Sequence, residues 1–109
     1  MEKFYQSTKV IFNVSKIRKY LLDPTKAHFA EFEAVGYREQ DDLRLFLDIE
    51  EQFDIDKAMF DRKYPNGDTG FSIIMQLGVE TSKPFRTCWS LSSYIPIARF
   101  VTAYRIGGE

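Results

Sequence analysis

The clearest periodicity in the chain lies in FSIIMQLGV, residues 71–79, where most alternate positions are apolar. A period of two is that of a β-strand with one buried face. The same alternation recurs in FRTCWSLS at 85–92 and in RFVTAYRI at 99–106. Short connections between these stretches favour antiparallel pairing. The three strands are predicted to carry these sets on one face: Phe71, Ile73, Met75, Leu77 and Val79; Phe85, Thr87, Trp89 and Leu91; Phe100, Thr102, Tyr104 and Ile106.

Before these strands the apolar period changes to that of amphipathic helices. KVIFNV at 9–14 predicts one short strand, and SKIRKYLL at 15–22 predicts a first helix. That helix must stop at the Asp23–Pro24 pair, because proline disfavours helical angles in the residue before it. KAHFAEFEAV at 26–35 predicts a second helix, which Gly36 ends.

Asp41 can cap a third helix over DLRLFLDIEEQF at 42–53. The stretch from 54 to 70 has isolated apolar residues and a turn cluster at 65–67, and we interpret it as a partly ordered loop. The apolar residues at helical spacing in the third helix are Leu43, Phe46, Leu47 and Phe53.

Helices followed by strands predict an α+β domain. We expect two or three N-terminal helices packed on a three- or four-stranded, mainly antiparallel C-terminal sheet. A length of 109 residues is typical of one domain, so residues 1–109 are assigned to a single domain. No stretch approaches 18 apolar residues and the start lacks a signal-peptide pattern, which predicts a cytoplasmic protein without a membrane span. The single cysteine, Cys88, fits a reducing compartment.

The residue types exclude several kinds of site. His28 is the only histidine, and the chain has no Cys-x-x-Cys pair, so a zinc site is not expected. Glycine-rich nucleotide-binding loops are absent as well. No cofactor and no metal are therefore predicted. A single histidine excludes a two-histidine acid/base pair within one chain, so acid/base catalysis by His28 would need a tyrosine, lysine or carboxylate partner.

The C-terminal strands carry hydroxyl and guanidinium groups on neighbouring positions. A metal-free ribonuclease needs little more: one group that accepts the 2′-hydroxyl proton, one that protonates the leaving oxygen, and a cation for the phosphate charge. Arg99 or Arg105 could be that cation, since guanidinium geometry suits phosphate. The alternative is a purely structural role, in which Phe100, Tyr104 and Ile106 lie in the core and the arginines lie on the solvent-exposed face of the sheet.

Several short motifs follow one another along the chain. They are Lys16-x-x-x-Tyr20-Leu21-Leu22, Lys26-Ala27 leading to Phe32, Gly36-Tyr37, Arg86-Thr87-x-Trp89, and Arg99-Phe100-Val101-Thr102-Ala103-Tyr104. In this order they resemble an uncharacterised bacterial domain family that occurs at the C-terminal ends of polymorphic toxins and as small stand-alone proteins. The tail is similar to that of barnase/EndoU/colicin/RelE-like ribonuclease toxins. The resemblance implies a helix-then-sheet fold and RNA as the substrate.

Two functions follow as hypotheses. In a toxin-like ribonuclease, Arg99 would neutralise phosphate, Thr102 and Tyr104 would position or protonate it, and His28 or Lys26 would complete the catalytic site. The substrate-binding residues would be Arg86, Thr87, Trp89 and Arg105. The alternative is a non-enzymatic immunity-type, phage-encoded or regulatory inhibitor that docks an acidic helix on a basic protein partner. Its docking residues would be Asp41, Asp42, Asp48, Glu50 and Glu51.

The charge distribution bears on both hypotheses. The net charge of −1 combines +4 over residues 1–30, −7 over residues 31–68 and +2 over residues 69–109. Two basic segments therefore flank an acidic middle. If the fold brings the basic ends together, one face could hold an anion on a weakly acidic protein.

Overall fold

The computed structural model describes residues 9–11 (backbone path), 21–95 and 97–107. The elements there, in chain order, are β1 (Lys9–Ile11), α1 (Phe29–Glu33), α2 (Asp42–Gln52), a 3-10 turn (Ile55–Lys57), β2 (Met59–Lys63), β3 (Thr69–Leu77), β4 (Lys83–Leu91) and β5 (Ile97–Arg105). The strands form one sheet in the order β1-β5-β4-β3-β2.

The sheet confirms the predicted α+β architecture. Strands β2 to β5 follow one another as an antiparallel meander, and the helices precede them in the chain. β1 adds a parallel strand beside β5, with Lys9 opposite Ile97. The predicted strand residues 12–14 and most of the predicted helix over 15–22 lie outside the described residues. Leu21 and Leu22, at the end of that helix, are buried in the core.

Strands β3 and β4 bury the residues that their alternation predicts. Phe71, Ile73, Met75 and Leu77 of β3 are essentially inaccessible, and the predicted set of β4 is buried against them. Val79 is an exception, because β3 ends at Leu77 and Val79 is exposed. The backbone N–H groups of Val79 and Glu80 instead donate to the carbonyl of Val35, just after α1.

The uniform alternation predicted for β5 is wrong. Trp89 lies opposite Phe100, while Cys88 lies opposite Thr102, so Val101 is an extra residue in β5. A bulge of this kind shifts the inward and outward positions by one. Phe100 and Ala103 consequently both face the core, whereas Thr102 and Tyr104 face away from it.

Helix α1 is shorter than predicted and begins after a series of turns from residue 23 to residue 28. Asp23 accepts hydrogen bonds from the backbone and hydroxyl of Thr25, which stabilises the first of these turns. Phe32 of α1 stacks on Phe85 of β4 and is fully buried. The chain leaves the helical region at Gly36, whose φ of +104° favours glycine.

Helix α2 begins where predicted and ends at Gln52, one residue before its predicted end, but it turns a different side to the sheet. Leu45 and Ile49 are buried, whereas Leu43 and Leu47 are 58% and 50% exposed. The sequence of α2 contains two apolar stripes at helical spacing, and periodicity alone does not say which one meets the sheet. Phe53 belongs with the buried stripe, since it packs edge-on against Trp89.

The loop predicted for residues 54–70 is wrong. This stretch contains the 3-10 turn and β2, which pairs with β3. β2 lies at the end of the described strand order and is mostly exposed, so it lacks the alternation that marks a half-buried strand. The turn predicted at 65–67 is present, with the N–H of Gly67 donating to the carbonyl of Tyr64. Among the described helices, none has the length and apolar character to cross a membrane.

Candidate functional site

The sheet has a second face, turned away from α1 and α2, which we call the outer face. Residues on it alternate with the core residues of each strand, and cross-strand partners share the face. Cys88 is the centre of this surface, opposite Ser72 on one side and Thr102 on the other. Arg86 lies opposite Tyr104 in the same way. The outer face therefore gathers polar groups from β3, β4 and β5.

An ion pair fixes Arg86 on the outer face. Its Nη2 lies 2.5 Å from Oδ1 of Asp61, which also accepts a hydrogen bond of 3.3 Å from the hydroxyl of buried Ser72. The register of β2 shifts between Phe60 and Arg62, which leaves Asp61 as the extra residue that meets the arginine. The hydrogen bond to Asp61 raises the pKa of the Arg86 guanidinium. A permanent positive charge is thus held in one orientation, with further N–H donors on the same planar group.

The Cys88 thiol lies in the middle of this cluster and is partly buried. Burial raises its pKa, and the negative charge of Asp61 raises it further, while Arg86 and a hydrogen bond with Tyr104 act in the opposite direction. The net effect keeps the thiol protonated. A protonated thiol is a weak nucleophile, so Cys88 contributes packing and hydrogen bonding rather than covalent chemistry.

His28 reaches the same region from the residue before α1. Its ring lies over that of Tyr104, with centroids 6.3 Å apart and ring planes 23° apart. Its Nδ1 is 3.2 Å from Oε1 of Glu31, and the same carboxylate oxygen accepts a 3.2 Å hydrogen bond from the backbone N–H of Arg105. If Nδ1 carries the proton and donates it to Glu31, Nε2 presents its lone pair. The imidazole is 40% exposed, which leaves it accessible to a ligand.

The structure brings together only some of the catalytic residues proposed from the sequence. His28, Tyr104 and Thr102 lie at or beside the cluster around Arg86. Arg99 is opposite Ser90, five positions from Tyr104 and roughly 15 Å away at the rise of a strand. Lys26 lies in the exposed turns before α1, near His28 in the chain.

The substrate-binding residues also separate. Arg86 is on the outer face, but Thr87 and Trp89 are buried in the core, where Nε1 of Trp89 donates to the hydroxyl of Thr87. That hydroxyl in turn donates to the carbonyl of Ile73. Both side chains therefore stabilise the core, and a substrate-binding role does not fit their position. Arg105 is half-buried, with its backbone N–H bonded to Glu31.

Four members of the cluster were not recognised from the sequence as site residues. Glu31 could have been found, since it lies one helical turn after His28 and such spacing brings side chains together. Asp61, Ser72 and Cys88 carry no such signal, because their proximity depends on strand register and on the bulge in β2.

Of the five acidic residues proposed for docking, only Glu50 and Glu51 are exposed. Asp42 is buried, Asp41 accepts a hydrogen bond from the backbone of Arg38, and Asp48 accepts one from the hydroxyl of Tyr37. Glu50 and Glu51 are exposed. The exposed side of α2 therefore combines these two carboxylates with Leu43 and Leu47.

Within the described ranges, no group of three or more histidine, cysteine, aspartate or glutamate residues is arranged to hold a metal ion. Comparison of the chain with protein-family models, curated proteins and solved structures gave no significant match in any of the three.

Proposed function

We propose that the chain is a toxin-like, metal-independent ribonuclease whose reaction takes place at the edge of the outer face. The observation that carries the proposal is the position of His28, which is hydrogen-bonded to Glu31 and stacked on Tyr104. Tyr104 is in turn the cross-strand partner of Arg86. A proton acceptor, a hydroxyl donor and a fixed cation are the three groups that cleavage at a 2′-hydroxyl requires. The resemblance of the C-terminal strand to ribonuclease toxins supports the same proposal.

Each group has one role in the proposed reaction. Nε2 of His28 accepts the proton of the ribose 2′-hydroxyl, whose oxygen attacks phosphorus and forms a 2′,3′-cyclic phosphate. The bond from phosphorus to the 5′-oxygen breaks, and the hydroxyl of Tyr104 donates the proton to that leaving oxygen. Arg86 binds the non-bridging oxygens, because its charge is fixed before substrate arrives and needs no reorganisation. Glu31 is a positioning residue that holds the imidazole.

Three arginines of the described residues share the outer face with the proposed site. Arg62, Arg86 and Arg99 occupy outer-face positions, whereas the exposed carboxylates of α2 lie on the other side of the sheet. This separation allows a protein with a net charge of −1 to attract phosphate on one face. We place the activity in the cytoplasm, where an unpaired cysteine such as Cys88 stays reduced.

Cleavage of total RNA in the presence of EDTA tests the proposal. The product should carry a 2′,3′-cyclic phosphate, and His28→Ala should lower the rate by about 10²–10⁴-fold, the usual contribution of a general acid or base. Tyr94→Ala is the control, since Tyr94 is 89% exposed and lies in the β4–β5 connection, at the other end of these strands from Arg86 and Tyr104. Intact RNA after prolonged incubation with the folded wild-type chain would rule out the ribonuclease.

A second candidate function is a binding protein that docks through α2. Leu43 and Leu47, one helical turn apart, are 58% and 50% exposed beside Glu50 and Glu51. Apolar anchors flanked by carboxylates suit a partner surface that is itself apolar at its centre and basic at its rim.

The double substitution Glu50→Lys and Glu51→Lys tests this candidate. A protein that co-purifies with the wild-type chain through α2 should be lost from the double variant and kept by Arg99→Ala, which changes the opposite face. If both variants retain the same bound protein equally well, α2 is not its docking element.

A further inference from the structure

A groove lies at the other end of the outer face from His28. It has a volume of about 410 Å³ and is lined by Tyr64, Pro65, Asn66, Asp68, Ser90 and Val101. This volume falls within the roughly 300–1,000 Å³ typical of small-ligand pockets. The lining combines one aromatic ring and two aliphatic side chains with amide, hydroxyl and carboxylate groups.

The sequence makes room for the aromatic ring of this groove. A Cβ atom at Gly70 would lie 3.2 Å from the Tyr64 ring and 3.1 Å from Cγ of Arg62. Glycine at this position therefore lets both side chains lie close to the sheet. The Arg62 guanidinium is 6.0 Å from the centre of the Tyr64 ring, at the limit of a cation–π contact.

The tight turn before β3 positions the other polar groups. The backbone N–H of Tyr64 donates to the carbonyl of Asp68, and the side chain of Asn66 accepts from the N–H of Asp68. The carboxylate of Asp68 accepts from the N–H of Ser93 and from the amide of Asn66. These bonds hold the amide of Asn66 at the rim of the groove without a ligand.

The groove and the proposed catalytic cluster lie along one strand. Ser90 is four residues from Arg86 on β4, which corresponds to about 13 Å at the usual rise. Cys88 lies between them on the same face, with Thr102 opposite it. The path is thus lined by small side chains. A mononucleotide does not bridge this distance, whereas a short oligonucleotide does.

We propose that this groove, the Tyr64 groove, holds a base of single-stranded RNA a few nucleotides from the cleaved phosphate. The inference rests on the proposed ribonuclease function and names its substrate class. An unpaired base packs against the Tyr64 ring, as bases do on aromatic side chains of sheet surfaces. Asn66 and Ser90 offer hydrogen-bonding groups to the base edge.

Charge complementarity favours RNA as the occupant. Arg62 stands beside the ring, and Arg99 lies opposite Ser90, so the groove has a guanidinium on each side to meet the flanking phosphates. The carboxylate of Asp68 is engaged by hydrogen bonds from within the turn. A duplex would not place a single base in the groove, so the substrate is single-stranded.

Equilibrium binding of a fluorescent 2′-O-methyl RNA octamer, which lacks the attacking hydroxyl and stays intact, tests the inference by comparison with a 2′-O-methyl dinucleoside phosphate. The wild-type chain should bind the octamer more tightly, and Tyr64→Ala should reduce that advantage by about tenfold or more, the effect of losing one base–aromatic stack. Tyr64→Phe should restore it, because the ring remains. Ser90→Leu, which fills the groove and keeps the ring, should weaken octamer binding as well. Tyr94→Ala is the matched control for loss of an exposed tyrosine and should bind like wild type.

The outcomes separate this inference from the proposed function. If Tyr64→Ala and Ser90→Leu fold normally and bind the octamer like wild type while His28→Ala abolishes cleavage, the groove assignment is wrong and the ribonuclease stands. If the octamer binds with the expected Tyr64 dependence but unmodified RNA is not cleaved, the groove stands and the ribonuclease is wrong. A wild-type chain that binds the octamer no more tightly than the dinucleoside phosphate overturns the groove assignment.

Discussion

Tyr37 is a buried tyrosine whose hydroxyl donates a hydrogen bond to Asp48 of α2. Burial, followed by the hydrogen bond and charge of Asp48, raises the pKa of its hydroxyl well above that of a free tyrosine. The folded chain therefore keeps a proton that the unfolded chain releases above about pH 10. The contribution to stability is constant below that pH and is lost as the pH rises further.

Tyr37→Phe should lower the free energy of unfolding by about 1–2 kcal/mol near neutral pH, because Asp48 loses a hydrogen-bond donor. It should also lose less stability than wild type between neutral pH and about pH 11, since no buried hydroxyl remains to release a proton on unfolding. Urea unfolding at both pH values measures the two effects. Tyr94→Phe is the exposed control, and an equal alkaline loss in wild type and Tyr37→Phe would contradict the account.

Cys88 gives a second test at the scale of one residue. Burial and the charge of Asp61 raise the pKa of its thiol, so we expect slow alkylation by iodoacetamide in the folded chain and fast alkylation in urea. Asp61→Asn removes the negative charge and should speed the reaction in the folded chain several-fold. Mass spectrometry follows the modification. Equal rates in the folded and unfolded wild-type chain would show that the thiol is not protected.

At the scale of one element, β3 depends on the burial of alternate side chains. It lies between β2 and β4, and Ile73 is fully buried on its core face. Ile73→Asp should unfold the domain, because an unpaired buried charge costs several kcal/mol, comparable with the roughly 5–15 kcal/mol that stabilises a whole domain. Gln76→Asp introduces the same residue at an exposed position of β3 and should have little effect on the melting temperature. A soluble Ile73→Asp chain with the wild-type melting temperature would contradict the strand assignment.

Strands β3 and β4 were predictable because each has one buried face, which imposes alternation on the sequence. β2 was not predictable, because an exposed edge strand has no such constraint and its residues are mostly polar or charged. The bulge at Val101 and the side that α2 turns to the sheet were also missed. Both depend on contacts with a neighbouring element, and local periodicity does not contain that information.

At the same scale, α2 protects the edge of β3 where β2 no longer covers it. The side chain of Gln52 both accepts from the N–H and donates to the carbonyl of Gln76. These two hydrogen bonds replace those of a neighbouring strand, while the pairs with β2 reach only as far as Ser72. A single glutamine thus satisfies backbone groups that would otherwise be open to pairing with another chain.

At the scale of the whole molecule, the fold decides which predicted residues can act together. The sequence proposed His28, Arg86 and Tyr104 as site residues together with Arg99, Thr87 and Trp89, and the structure brings only the first three close together. That separation follows from strand register, which places Tyr104 opposite Arg86 and Arg99 opposite Ser90. Register is set by the complete set of strand pairs, so residue types in one strand were insufficient to predict it.

The distribution of charge across the molecule gives the last prediction. Glu50 and Glu51 lie on the helical side of the sheet, while Arg62 and Arg99 lie on the outer face. If the outer face binds RNA, Glu50→Lys with Glu51→Lys should speed association of an RNA octamer at low salt, because less negative charge repels the phosphates. Arg99→Ala should slow it.

Both effects should fade at about 1 M salt, where the screening length is about 3 Å. Stopped-flow fluorescence at low and high salt measures the association rates. Docking through α2 predicts the opposite effect. The double Glu→Lys variant would then associate more slowly with a basic protein partner, and Arg99→Ala would leave that rate unchanged. Because the two surfaces lie on opposite sides of the sheet, one pair of variants distinguishes an RNA-binding outer face from a protein-binding helix.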